Sequence, residues 1–82
     1  MDAPYVPISC SVHDELLARA TLRRECEIVY AQEGGGTARV RGVIADVYSR
    51  GGAEWLELRG GTTLRLDRLR ELDGIPVPPP AC

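Results

Sequence analysis

The stretch 52–69 alternates apolar and polar positions twice, on either side of Gly60 and Gly61. Leu56 and Leu58 share one face of the first run and Trp55, Glu57 and Arg59 the other; Leu64 and Leu66 then alternate with Thr63, Arg65 and Asp67. A period of two is that of a half-buried strand, so the stretch predicts a β-hairpin with a leucine face and a charged face. Facing residues of an antiparallel pair point to the same side, which sets Leu58 opposite Leu64 and Leu56 opposite Leu66. Glu57 then lies beside Arg65 and Glu54 beside Arg68. That register calls for a three-residue turn, Gly60 to Thr62, or a bulge.

The pattern elsewhere predicts one helix and more strands. Residues 1–10, with Pro4 and Pro7 around Tyr5, Val6 and Ile8, read as an extended arm with local packing. Ser11, with Asp14 three positions on, fits a capping box that opens a helix, and Val12, Leu16, Leu17 and Ala20 form its apolar stripe with His13 at the margin. Asp14 and Glu15 point away from that stripe. Glu15 precedes Arg19 by four residues, the favourable order for a surface pair, whereas Asp14 faces Ala18 and has no helical cation. Residues 26–33 read as a strand, Gly34 to Gly36 as a hairpin turn, and Thr37 to Tyr48 as a long strand. Its phase changes at Gly42, from Ala38 and Val40 to Val43, Ala45 and Val47, which predicts a bulge or bend at Gly42 and Asp46 on the outer face. After Leu69 the prolines at 76 and 78–80 exclude helix, so residues 75–82 read as a loosely held tail on a single domain of residues 1–74.

Composition narrows the function classes. A chain of 82 residues buries only about 60% of its unfolded surface, so the core is modest and there is room for one site. No apolar run approaches the ~20 residues that span a bilayer, and the start MDAPYVPISC has no basic flank or sustained apolar run, which gives the expectation of a soluble cytoplasmic protein and no membrane partner. The formal net charge is -2, which weighs against direct nucleic-acid binding through neutralised phosphates. All 10 basic residues are arginine, a residue that pairs well with carboxylates. Cys10, Cys26 and Cys82 are an odd set without a signal peptide, so no disulfide framework is expected. Cys10 with His13 is too sparse a start for a four-ligand zinc site, so no metal and no cofactor is expected. His13 is the only histidine, and no nucleophile is set by sequence beside an oriented histidine and acid; the expectation is a binding module and not an enzyme.

Five segments in order, YVPISC, HDELL, GVIADV, GAEWLEL and LRLDRLRELDG, resemble the pattern of the Rof family, the Rho-binding antiterminators of bacteria. The match spans about residues 5 to 74. The resemblance implies a mainly β fold: an N-terminal α-helix on a small, strongly bent Sm-like β-barrel or sandwich. It also implies a monomer that binds the RNA-binding N-terminal domain of the termination factor Rho and blocks its primary RNA site. Asp14 matches a family acid on the helix; Pro7, Ile8 and Cys10 match its entry; Arg65, Leu66 and Asp67 match the last-strand motif, in a structural role. Ser11 and Val12 stand where better-known members carry acids. The candidate partner-binding residues are thus Asp14 and Glu15, with Ser11, His13 and Asp46. The competing reading is an Sm-like single-stranded RNA binder that uses Arg39, Arg41 and Arg65 with Tyr48 or Trp55 as stacking surfaces. Trp55, in phase with the charged face, is expected to pack under the helix or the arm.

Overall fold

The computed structural model describes residues 4–78. One helix, α1 (Cys10–Leu22), precedes six strands: β1 (Glu25–Ala31), β2 (Thr37–Arg50), β3 (Ala53–Leu58), β4 (Thr63–Arg65), β5 (Leu69–Leu72) and β6 (Ile75–Pro76), with a 3-10 turn at Leu66–Arg68 between β4 and β5. The strands form one antiparallel sheet in the order β4-β3-β2-β1-β5-β6. The fold is therefore mainly β with an N-terminal helix, as the pattern predicts. The sheet does not close into a barrel, because β4 and β6 remain its two edges.

The helix starts two residues earlier than the capping box suggests. Ser9, not Ser11, is the N-cap, with extended backbone at φ -63 and ψ 149, and its Oγ accepts from the Val12 N–H at 3.3 Å. Asp14 therefore lies past the first turn and takes no part in capping. Val12 and Leu16 are the helix residues buried in the core, with Ala20 packed against it. Leu17, expected in the same stripe, is 40% exposed. Arg23 ends the helix in the left-handed conformation, φ 54, and donates its N–H to Ala20 O.

β2 serves two neighbours, with its first half on β1 and its second on β3. Pairing with β1 is regular from Ala31↔Thr37 to Glu25↔Val43 and passes through Cys26↔Gly42 without a break. The expected bulge at Gly42 is instead at Ala45: Ile44 opposes Leu58, Asp46 opposes Glu57, and Ala45 is the extra, exposed residue. Ala38, Val40, Gly42 and Ile44 thus keep one inward phase, and Val47 resumes it after the bulge. Between β1 and β2 the three-glycine turn has Gly34, Gly35 and Gly36 all at positive φ, which non-glycine residues adopt only under strain.

The leucine hairpin forms two residues out of the expected register, so its leucines stay on one face. Leu56 opposes Leu64, Trp55 opposes Arg65 and Glu57 opposes Thr63. Leu58 N–H donates to Thr62 O at 2.8 Å, so the three-residue turn is Arg59 to Gly61. Leu66 consequently leaves the ladder and enters the 3-10 turn, where it is fully buried. From there the chain crosses to the far side of β1, where Leu72 opposes Ile28. Ile75 and Pro76 continue the sheet against Leu72 and Glu71, and Val77 N–H donates to Arg70 O at 2.9 Å, so the start of the expected tail is part of the fold. The rest of that tail, 79–82, and the first three residues of the arm lie outside the described residues.

One core cluster joins Val12 and Leu16 of the helix to Cys26, Ile28, Ile44, Leu56, Leu58, Leu64, Leu66, Leu69 and Leu72 of the sheet. The helix therefore lies on the leucine face of the sheet. The shifted cap gives a direct test by urea denaturation. Ser9→Ala should cost about 1 kcal/mol of stability, the usual loss of an N-cap oxygen, and Ser11→Ala much less.

Candidate functional site

The candidate residues centre on α1, and three sets of contacts fix that helix on the sheet. Val12 and Leu16 bury its apolar side. Near its C-terminal end Arg19 Nε donates to Asp73 Oδ2 at 2.9 Å and Nη1 to Glu15 Oε2 at 2.6 Å. Asp73, in the β5–β6 turn, also accepts the Glu27 N–H through Oδ1 at 2.8 Å, so one carboxylate ties the helix to β1. Near the N-terminal end His13 Nε2 lies 3.0 Å from Glu54 Oε2 on β3.

Glu54 also anchors the arm. Tyr5 donates its hydroxyl to Glu54 Oε1 at 3.2 Å, and its pKa is pushed up to about 12, first by burial and then by the Glu54 charge. The hydroxyl therefore stays a donor. Val6 N–H donates to Asp67 Oδ2 at 3.2 Å, and Asp67 in turn holds Arg65 through two bonds, Nε at 2.7 Å and Nη2 at 2.9 Å. The Arg65 guanidinium carbon is 5.9 Å from the Tyr5 ring centroid, within cation–π range. The arm is thus packed against β3 and the 3-10 turn, not locally. Arg65, Leu66 and Asp67 are structural, as expected, but Glu54 serves His13 and Tyr5 rather than Arg68, and Trp55, not Glu57, faces Arg65.

Each candidate residue has a definite place. Asp14 is exposed and makes no hydrogen bond or ion pair among the described residues, as its lack of a helical cation foretold. Glu15 is engaged by Arg19, with its side chain still 63% exposed. Ser11 is exposed with its Oγ 3.2 Å from Ser9 Oγ. His13 is half-buried and engaged by Glu54, so its free edge is smaller than a helix-margin position suggests. Asp46 is exposed on β2 beyond the bulge. It opposes Glu57 across the β2–β3 ladder, and neither carboxylate has a cationic partner among the described residues. Like charges directly opposite each other on a sheet are unfavourable and would be relieved by an external cation.

Glu57 is the acid that pattern reading missed, since it joins Asp46 only when the bulge is placed at Ala45. Two other expectations change. Cys10 is disulfide-bonded, whereas Cys26 is a free, buried thiol whose pKa is raised mainly by that burial. Trp55 is half-buried on the sheet beside a hollow that it shares with Pro4 and Tyr5 of the arm, with Nε1 donating to Arg50 O at 3.2 Å. Among the described residues no helix is long and apolar enough to cross a membrane, and no cluster of His, Cys, Asp and Glu could hold a metal ion. Comparison with protein-family models, with curated proteins and with solved structures gives no match.

The Asp73 tether makes a pH-dependent contribution. Its carboxyl is held below the ordinary value of 3.8, chiefly by the Glu27 N–H and then by Arg19. A group with a lowered native pKa stabilises the fold above its unfolded pKa and loses that contribution as pH falls through the native one. Asp73→Asn, which keeps the shape and tolerates the left-handed backbone at φ 52, should therefore lower stability at neutral pH by about 1 kcal/mol. In thermal melts the gap between the two proteins should narrow as the pH falls below the ordinary carboxylate value of 3.8.

Proposed function

We propose that the protein inhibits Rho-dependent transcription termination in the bacterial cytoplasm, as a monomer that binds the N-terminal RNA-binding domain of Rho and covers its primary RNA site. The observation that carries this reading is the state of its surface acids. Asp14 projects from a helix fixed at both ends, with no cation among the described residues to neutralise it. A surface shaped for polyanionic RNA is cationic, and a carboxylate on a rigid support complements it with little ordering cost. Glu15 adds a largely exposed charge one residue away, with Ser11 and His13 on the same turn region, and the Asp46–Glu57 pair offers a further anionic spot on the sheet. The ordered segments from YVPISC to LRLDRLRELDG give the partner its name, and with it the sheet is read as an open, Sm-like one.

The RNA-binding alternative loses most of its cations. Arg39 is paired with Glu27, Arg41 with Glu25 and Glu27, and Arg65 with Asp67. That leaves Tyr48 and Trp55, neighbours across β2 and β3, without the basic stripe that follows a phosphate backbone.

The test is calorimetric titration of the isolated Rho N-terminal domain with the full chain. Close interfacial charge pairs are each worth about 1.5 kcal/mol or more, so Asp14→Arg with Glu15→Arg should weaken binding by about 100-fold or more. Unchanged affinity in a variant with native circular dichroism would remove the helix acids from the interface. Termination that proceeds at its normal level in a purified transcription assay with excess protein would overturn the function itself.

A further inference from the structure

A second concave surface lies away from α1. Where the curled sheet brings β4 towards the end of β1, a groove of about 520 Å³ opens between Tyr30 on β1 and Trp55 on β3. Buried Leu64 contributes apolar surface to it, Arg65 and Arg68 contribute guanidinium groups, and the backbone leading into the glycine turn contributes Gln32. The size falls in the range of small-molecule sites, and the lining has their usual composition, apolar and aromatic surface with a few polar groups. None of these residues belongs to the surface assigned to Rho.

We infer that this groove binds a nucleotide, either free or as one unit of single-stranded RNA. Tyr30 and Trp55 provide the aromatic surface on which a base stacks. Trp55 is held for the task, because its indole N–H is committed to Arg50 O. Arg65 is fixed by two bonds to Asp67, so it offers a planar face more than a net charge. Arg68 differs: it makes no hydrogen bond or ion pair among the described residues and is the cation left to take a phosphate. At the other polar margin the Gln32 amide can both donate and accept, and Glu33, the one acid in the lining, can only accept. A carboxylate acceptor favours a base with an exocyclic amino group, so adenine and cytosine bind better than uracil. With a single uncommitted arginine the site neutralises one phosphate, consistent with the small negative net charge of the chain.

Trp55 is the only tryptophan and lines this groove, so its fluorescence reports on binding there, and the Arg68 and Glu33 variants, which do not line the neighbouring hollow beside Tyr5, tie the signal to the groove. The purified full chain is titrated with AMP, CMP, UMP and inorganic phosphate, and with short oligoadenylate and oligocytidylate, each repeated with Arg68→Ala and Glu33→Gln. Saturable quenching by AMP and CMP is expected, with UMP several-fold weaker, no quenching by phosphate, and a roughly tenfold weaker AMP titration for Arg68→Ala, the effect of losing one charge-assisted phosphate contact. Glu33→Gln should reduce the preference over UMP. Oligomers that bind no tighter than AMP identify a free nucleotide as the ligand, and oligomers that bind at least tenfold tighter identify single-stranded RNA. Absence of saturable quenching at millimolar nucleotide, or an Arg68→Ala titration identical to the parent, overturns the assignment. Rho binding is unaffected by either variant, so this inference and the termination reading fail separately.

Discussion

Three residues constrain the whole sheet. Leu66–Arg68 carry the chain from β4, at one edge, to β5, which lies beyond β3, β2 and β1 in the strand order. Four strand spacings in a flat sheet amount to about 19 Å. The four Cα steps from Arg65 to Leu69 reach at most about 14 Å when fully extended, and a 3-10 turn is much shorter. The sheet must therefore curl until its ends approach, and full burial of Leu66 shows the core gathered at that closure. The bulge at Ala45 serves the same end, since it turns β2 between its two partners and raises the local twist.

The curl fixes where the helix can sit. A sheet bent this far has a concave leucine face too deep for strands alone to fill, and Val12 and Leu16 complete it. Full burial of such side chains is worth about 1.5–3 kcal/mol each, whereas a partly exposed ion pair gives about 1 kcal/mol or less. The Arg19–Asp73 and His13–Glu54 pairs are thus minor for stability. Their role is orientation: they join one end of the helix to β3 and the other to the β5–β6 turn, so rotation about its buried stripe is opposed at both ends.

Much of this was legible in the sequence, and the failures share a cause. The existence of the helix, the glycine turn, the hairpin and the Glu15–Arg19 pair follow from local rules of spacing and turn chemistry. The hairpin register does not, because Leu56 opposite Leu64 and Leu56 opposite Leu66 both keep the leucines on one face. The choice depends on Leu66 being needed in the turn to β5, a nonlocal demand. The bulge is similar: Gly42 permits one, but a Cβ there would meet Leu58 Cδ1 only at 3.7 Å, ordinary contact, so nothing local compels it. The helix cap belongs with them: by local rules Ser9 and Ser11 are equally good caps, and the burial of Ser9 against the body decides between them. Cysteine parity misled because three cysteines still allow one disulfide and one free thiol.

These nonlocal choices also redistribute charge. Had the hairpin taken its expected register, Glu57 would have been neutralised by Arg65 and the outer face would be balanced. With the register moved by two residues and the bulge at Ala45, Arg65 turns to Asp67 and Glu57 meets Asp46 instead. Meanwhile Arg39 and Arg41 are satisfied within the β1–β2 face. Asp14, Asp46 and Glu57, among the acids with no cation within the described residues, stand on the helix and the sheet, and Arg68, likewise unpaired among the described residues, lies in a separate groove beside two aromatic rings. A nearly neutral chain thereby carries exposed acids on one set of elements and an arginine-bearing groove on another, a division that net charge conceals and strand register creates.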